Sequence, residues 1–316
     1  EVKMKLKDEG KYLIFIEYHG IGINSSPFKI QVLSKLKPIN YHEINNPTSS
    51  LQSEGNTYEF NRPRGICVGS NGNIFVADSL SHRIQIFDPE ENFISSFGSN
   101  GNKNGEFDFP CSLAINSKGN ILVCDSGNDR IQIFDSEGKF ISTFGSGGDD
   151  GQFYYPRGIC VDKNDNIYVC DYCRIQVFDS EGKLISTFGS EGDEDGQFND
   201  PRGIAINSKG NIFVSDYENN KIQIFSSEGE FISTFGSKGD DDGQFEKPYG
   251  LFIDSNDHIF VCDYTLDRIQ IFDSEGKYIT KFDLLNPTQI TIDSKTQKII
   301  ACGDNNEVSI FYQKEK

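Results

Sequence analysis

Histidine is scarce in this chain, with four among 316 residues, and basic residues are outnumbered by acidic ones, 30 to 48. A metal centre that relies on several imidazoles has little to draw on. A formal charge of -18 repels phosphate backbones. The shortage of basic residues is uneven: residues 1 to 40 hold seven Lys and four acids, which leaves 23 basic and 44 acidic residues for the rest. No apolar run approaches the roughly 18 residues of a membrane-spanning helix. The first 20 residues lack the charged, apolar and small-residue order of a signal peptide. Eight cysteines form a single C-x-x-C, Cys170 with Cys173, and no second pair or His pair accompanies it. Zinc is therefore not indicated. These absences predict a soluble, cytoplasmic chain without a membrane or a cofactor. Because it opens on Glu1, inside a domain by the reading below, it is expected to be a piece of a longer protein.

What is present is a repeat. RPRGICVGSNGNIFVADSLSHRIQIFDPEENFISSFGS, residues 62 to 99, returns from Phe109, Tyr155, Asp200 and Lys247, and in degraded form from Asn286. Its marker prolines, Pro63, Pro110, Pro156, Pro201, Pro248 and Pro287, are spaced 47, 46, 45, 47 and 39 residues apart. In the first five units an Asp follows 15 residues later (Asp78, Asp125, Asp171, Asp216, Asp263); in the sixth, Asp304 follows after 17. Each unit holds four short runs rich in Ile, Val and Phe between Gly, Asn, Asp and Ser turns, with no helical period, which predicts four strands per unit. Ile74 and Val76 point to one face and Phe75 and Ala77 to the other, so the strand must be covered on both. Radial stacking of four-stranded blades provides that cover, and a period in the forties matches a β-propeller. The residue before the marker Asp is always small (Ala77, Cys124, Cys170, Ser215, Cys262 and, by alignment, Gly303), as crowding of the inner strands requires.

The sixth unit stops after EVSIFYQ, its third strand. SSLQSEGNTYEFNRP, residues 49 to 63, aligns with SSFGSNGNKNGEFDFP, residues 95 to 110. Residues near 46 to 52 are therefore expected to supply the outer strand of the last blade, with Pro47 suited to an edge. The fold expected is all-β: a six-bladed propeller over residues 46 to 316, closed by an N-terminal strand. The pattern DGQFxxPRGI, NIFVAD, N/S-x-x-R-I-Q-I-F resembles the NHL repeat, whose members form six-bladed propellers.

Ahead of the propeller, GKYLIFIEYHGIGINSSPFKIQVL alternates Tyr12, Ile14, Ile16 and Tyr18, turns at His19-Gly20 and resumes at Pro27, which reads as a hairpin. Its G-K-Y, Y-H-G and S-P-F spacing is similar to the last strands of a filamin-type immunoglobulin repeat. Residues 1 to 34 are taken as the C-terminal fragment of such a repeat and 35 to 45 as a linker. A filamin repeat before an NHL propeller resembles the tripartite-motif NHL proteins. That resemblance implies an unseen RING, B-boxes and coiled coil upstream, and membership among ubiquitin ligases or RNA-directed repressors in which the propeller selects the target.

The acidic interblade loops GGDDGQF, EGDEDGQF and GDDDGQF could suggest calcium. The twelfth position of an EF-hand loop needs a carboxylate, however, and counting from Asp240 or Asp193 it is Leu251 or Ile204. They read as solvated turns. His82 and His258 fall at opposite ends of the blades, and no Ser or Cys nucleophile has a recognisable base, so no catalytic residue is assigned. Cys67 and Cys160 share one repeat position, and Cys124, Cys170 and Cys262 another; they read as buried small hydrophobes in a reducing compartment. The recurrent carboxylates are followed by Arg83, Arg130, Arg174, Lys221 and Arg268, which reads as an Asp to Arg or Asp to backbone bond within each blade.

Function is therefore sought where blades differ. The start of strand one and the end of strand two lie side by side on one face, here called the top. The residues after the marker Pro are Arg64, Cys111, Arg157, Arg202, Tyr249 and Thr288; those after the marker Asp are Ser79, Ser126, Tyr172, Tyr217, Tyr264 and Asn305. Blades three to five thus pair Arg157 with Tyr172, Arg202 with Tyr217 and Tyr249 with Tyr264, beside Tyr154 and Tyr155. Tyr and Arg at this density predict a binding site for a protein or peptide. The bland alternative is that the tyrosines merely pack over loops. RNA binding through stacked bases is the rival function. Thirteen acids against Lys103, Lys238 and Lys247 in the four complete interblade loops disfavour it. The propeller is expected to be monomeric.

Overall fold

Each apolar run of the repeat becomes a strand; the second finds apolar cover on both faces, whereas the fourth leaves Ile94, Ile141, Ile185 and Ile232 about half exposed. The computed structural model describes residues 2 to 7, 11 to 16, 49 to 51, 60 to 145 and 151 to 311. They fall in two compact units, residues 1 to 39 and 40 to 316. In the first, β1 (Val2–Lys7) pairs antiparallel with β2 (Lys11–Ile16) in a register running from Val2↔Ile16 to Lys7↔Lys11. The expected partner strand from Pro27 lies outside the described residues, as does Pro47.

The second unit is a six-bladed propeller of four-stranded antiparallel sheets. Blade six is completed by β3 (Ser49–Ser50), which pairs with Ser309 and Ile310 and so joins the first and last parts of the propeller. Blade one comprises β4 (Pro63–Val68), β5 (Ile74–Asp78), β6 (Arg83–Phe87) and β7 (Phe93–Phe97), in that order from the axis outward. The inner strands, starting at Pro63, Pro110, Pro156, Pro201, Pro248 and Pro287, each touch the next and the last touches the first, closing the ring.

Each second strand is fully buried and splits its side chains between neighbours. Ile74 and Val76 pack toward blade six, against Ile300 and Ile310, whereas Phe75 and Ala77 pack toward blade two, against Leu113 and Val123. The repeated GQF or GEF supplies the wedge between blades. Phe107 sits 6.2 Å from Phe97 of blade one and 5.4 Å from Phe134 of blade two, ring centroid to centroid. Phe198 and Phe245 repeat the wedge and are completely buried. Each such ring contributes about 1.5–3 kcal/mol of burial.

The Pro-x-Gly that opens an inner strand is fixed by crowding at the axis. A Cβ on Gly203 would stand 2.5 Å from the Tyr249 carbonyl oxygen and 2.9 Å from the Leu251 nitrogen of the next blade. Only glycine permits that approach.

The sixth blade corrects the alignment by one residue. Pro287 pairs with Gly303 and Gln289 with Cys302, so Gly303 occupies the marker position and Cys302 the small one. The cause is the longer turn Asp293 to Lys298, whose extra residue the sequence alignment placed one step out of register. Asp304 therefore belongs with the post-Asp residues, where Asn305 had been expected. A second correction concerns Cys67 and Cys160, which are partly rather than fully buried, packed against the core; the other cysteines of the propeller are buried and all eight are free thiols.

Candidate binding surface on the top face

Beneath the top face the five marker aspartates are completely buried. In each, Oδ1 accepts the backbone N–H of the residue two before the marker Pro, from Asn61, Asp108, Tyr154, Asn199 and Glu246. Oδ2 accepts the Nε of Arg83, Arg130, Arg174 and Arg268 at 2.7–2.9 Å. It also takes the amide of the Gln in RIQIF or its equivalent: Gln85, Gln132, Gln176, Gln223 and Gln270. Burial pushes the carboxyls of Asp125, Asp171, Asp216 and Asp263 above the usual carboxylate range, against the opposing pull of these donors.

The arginine heads pass on to the interblade loop. Arg130 donates to the carbonyls of Asn102, Lys103 and Glu106, and Arg268 to those of Asp240, Asp241 and Gln244. The triple aspartate thus offers its backbone inward, while Asp242 pairs with Lys281 at 2.8 Å. Blade four departs from the expected ion pair. Lys221 has one donor head and gives it to the Asp193 and Glu194 carbonyls, so Asp216 lacks the Arg contact and keeps only Asn219 and Gln223, the counterparts of Asn128 and Gln132 in blade two, as side-chain donors. An arginine reaches both partners because its Nε and Nη groups are separate donors.

At the channel mouth the post-Pro and post-Asp residues interlock. The Arg202 guanidinium lies 3.3 Å from the Tyr217 ring centroid and 4.7 Å from that of Tyr249, and donates to Asp200 at 2.9 and 2.6 Å. Arg64, from blade one, donates to the Tyr249 hydroxyl at 2.8 Å and to Asp304 of blade six at 3.2 Å. Tyr264 donates to the same Asp304 oxygen at 2.9 Å. Burial alone would lower the Arg64 pKa, but Tyr249 and Asp304 outweigh it and the group stays charged, its pKa raised. Burial, with the Asp304 hydrogen bond, pushes the Tyr264 hydroxyl up to about 12. Tyr249, expected to be presented to solvent, is only 7% exposed. It packs under two guanidiniums and between Tyr217 and Tyr264, at 5.9 and 5.8 Å.

Blade three is built differently. Four residues join the second and third strands in blades one, two, four and five, but only Tyr172 and Cys173 do so here. Elsewhere the residue just before the third strand latches the next blade: His82, Asp129, Asn220, Asp267 and Asn306 accept the N–H of Phe109, Tyr155, Lys247, Asn286 and Arg62. In blade three Cys173 holds that place, and its side chain offers no oxygen or nitrogen acceptor to the Asp200 N–H. The shortened turn leaves an open depression of about 230 Å³ lined by Tyr154, Tyr155, Arg157, Tyr172, Cys173, Glu191, Asn199 and Asp200. Its tyrosines are 57%, 48% and 53% exposed, in chain order.

The residues expected to form one patch therefore form two groups. Tyr154, Tyr155, Arg157 and Tyr172 surround the depression, whereas Arg202, Tyr217, Tyr249 and Tyr264 close the mouth. Asp200 stands between them, 3.7 Å from Arg157 and bonded to Arg202. Sequence reasoning missed Asp200, Glu191, Asp304 and the five buried glutamines. The glutamines had a signal, a polar residue recurring inside an otherwise apolar strand; Arg64 with Asp304 needed the ring closure.

This architecture defines a six-bladed β-propeller with a polar top and an inter-strand Asp–Arg–Gln cluster in most blades. The chain carries NHL repeats: the family model of the NHL repeat matches residues 60–87, 107–134, 153–178 and 198–225. Protein lin-41 of Caenorhabditis elegans is 38% identical over 90 residues, 28% of this chain and 8% of that protein. The E3 ubiquitin-protein ligase TRIM71 of Xenopus tropicalis is 40% identical over 82 residues, 26% of this chain and 10% of that protein. The match spans about a tenth of these relatives' length. Among solved structures, a streptogramin B lyase is similar with a TM-score of 0.60 at 14% identity, over 85% of this chain and 87% of that one. A gluconolactonase from Xanthomonas campestris gives 0.66 at 14%, over 81% and 87%. At such identities the likeness is of fold alone. Among the described residues no cluster of His, Cys, Asp and Glu could hold a metal ion. No helix among them is long and apolar enough to cross a membrane.

Proposed function

We propose that the propeller is a protein-interaction module whose top face, over blades three to five, receives a protein or peptide. The observation that carries this reading is the group of three half-exposed tyrosines beside Arg157, an aromatic and arginine surface of the kind that dominates binding energy in protein interfaces. The similarity to proteins named lin-41 and TRIM71 supports a role in selecting targets for a ubiquitin ligase whose RING lies outside this chain. On this reading residues 1 to 34 are the end of a filamin-type repeat, 35 to 45 a linker and 46 to 316 the propeller, acting as a monomer. Eight free thiols support a reducing, cytoplasmic setting. RNA is the weaker reading, since acidic loops ring the same face.

A peptide-display selection on the immobilised chain tests this. Selected peptides are expected to bind the parent chain and to lose at least about tenfold in affinity against Tyr154→Ala/Tyr155→Ala, a loss typical of anchor residues. Peptides indifferent to that variant, or a salt-sensitive RNA hairpin bound more tightly than any peptide, overturn it.

A further inference from the structure

We infer that the three-tyrosine depression of blade three is a receptor for an alkylammonium group, presented as a lysine side chain of the partner protein. The inference rests on the protein-binding reading above and adds to it the chemistry of the ligand.

Ring geometry comes first. Tyr154 stands perpendicular to Tyr155, at 5.3 Å and 84°, and perpendicular to Tyr172, at 5.4 Å and 85°. Perpendicular rings make a corner that offers π-faces from more than one direction. A cation is attracted within about 6 Å of a ring centroid, because the face of the ring is its negative pole. A compact ammonium can sit in such a corner, whereas a planar guanidinium stacks best on one face. Arg157 already lies over the Tyr155 ring, 5.9 Å from its centroid, and against Asp200.

Charge points the same way. The charged residues of the wall are Glu191, Asp200 and Arg157, a net negative set. Glu191 is fixed by its bridge to Phe198; the matching positions in two other interblade loops hold Asn100 and Lys238, so the acid is particular to this one. Among the described residues Glu191 has no ion-pair partner, and its charge is the chief cause raising the pKa of the Tyr172 hydroxyl. The charge of -18 on the whole chain adds long-range attraction for a basic partner.

Backbone conformation is the third observation. Tyr172 sits in the two-residue turn at φ 54°, which glycine adopts freely and a bulky residue does not. Left-handed residues also close the corresponding turns at His82, Asp129, Asn220, Asp267 and Asn306, so the conformation is a feature of these turns that sets where Tyr172 stands. Tyr154, Tyr155 and Tyr172 fill three repeat positions that together are aromatic in this blade alone.

Saturation-transfer NMR on the intact chain tests the assignment with the heptapeptide Gly-Ser-Gly-Lys-Gly-Ser-Gly and the same peptide carrying norleucine, arginine or glutamate at the centre. Lysine is expected to bind about tenfold more tightly than norleucine, with transfer to its ε-methylene protons. Tyr172→Ala should abolish that preference, Tyr172→Phe should keep it, and Glu191→Gln should weaken lysine binding roughly threefold, with unchanged thermal unfolding as the control of fold. Equal binding of lysine and norleucine, equal binding of arginine, no binding of lysine, or a preference that survives Tyr172→Ala overturns it. Should displayed peptides still require Tyr154 and Tyr155 while lysine shows no preference, the ammonium site falls and the protein-binding reading stands. Should no peptide use this face, that reading falls.

Discussion

Tyr172 and Tyr264 occupy the same row of the repeat two blades apart, yet one stands 53% exposed over a depression and the other is tied down at the channel mouth. The difference lies in what surrounds them. Around Tyr264 the side chains interlock: Asp304 accepts its hydroxyl and Arg64 through one oxygen, Arg64 reaches Tyr249, and Arg202 covers Tyr249 and Tyr217, leaving Arg64 Nε and Asp304 Oδ1 buried without a hydrogen bond among the described residues. Around Tyr172 a turn two residues short withdraws the cover, and beside it stands Glu191, an acid with no ion-pair partner among the described residues. The mouth spends its side chains on one another and rigidifies the ring. The depression keeps its side chains available, which is what recognition needs.

The comparison can be broken first at the buried carboxylates beneath both regions. Asp125→Ala strands Arg130, whose side chain is only 8% exposed, and is expected to destabilise by about 3–5 kcal/mol. Asp171→Ala, under the depression, should cost clearly less, because Arg174 is 43% exposed and can rehydrate. Denaturant midpoints of the two variants check this; equal losses would show that blade three is as closed as the others. Next in size is Gly203→Ala at the mouth. The added Cβ meets backbone of blade five, which cannot rotate away, so about 1–3 kcal/mol is expected. A crystal structure of the variant should show the Arg202–Tyr249 contact displaced while Tyr154, Tyr155 and Tyr172 stay in place.

Smaller still is the loss of single hydroxyls. Tyr249→Phe removes the acceptor of Arg64 and should cost about 1 kcal/mol, whereas Tyr172→Phe should change stability by less than about 0.5 kcal/mol. Matched losses in thermal unfolding would mean that the two tyrosines do the same structural work and that the contrast is one of exposure alone.

Much of this was legible in the chain. The spacing of Pro63 to Asp78 fixed which strand ends share a face, and Phe75 beside Val76 required cover on both sides. The antiparallel pairing rule brought Tyr217 beside Arg202 before any coordinate. What stayed hidden depends on closure and on turn length. Arg64 meets Asp304 across the seam between blades one and six, 240 residues apart in sequence. The degraded sixth unit then misplaced Asp304, because a longer turn after Asp293 shifts its register. The short turn of blade three was visible as DYCR against DSGNDR. Its consequence was not, since a missing latch becomes a depression only when the neighbouring loop is seen to leave it uncovered.

The smallest effect concerns pH, and it contrasts the buried carboxyls with those on the loops. Burial raises the pKa of Asp125, Asp171, Asp216 and Asp263. A folded pKa above the unfolded one means that the stabilising contribution is present below the unfolded value and lost as pH rises through the folded one. At neutral pH these four groups therefore oppose folding, and acidification relieves them. Asp165, Asp242 and Glu228 have folded pKa values lowered chiefly by hydrogen bonds from Ser117, Lys281 and Ser227, so their contribution is lost only as pH falls through values below the usual range. The two sets act in different windows, the buried one first. Denaturant stability should rise as pH falls from 7 toward the upper edge of carboxylate titration and then decline in stronger acid. Relief of the general negative charge would give a similar rise, so the titration belongs at high salt, which screens exposed charges and leaves buried ones largely untouched. A steady decline from pH 7 at high salt would mean that the arginines, and not burial, govern the four aspartates.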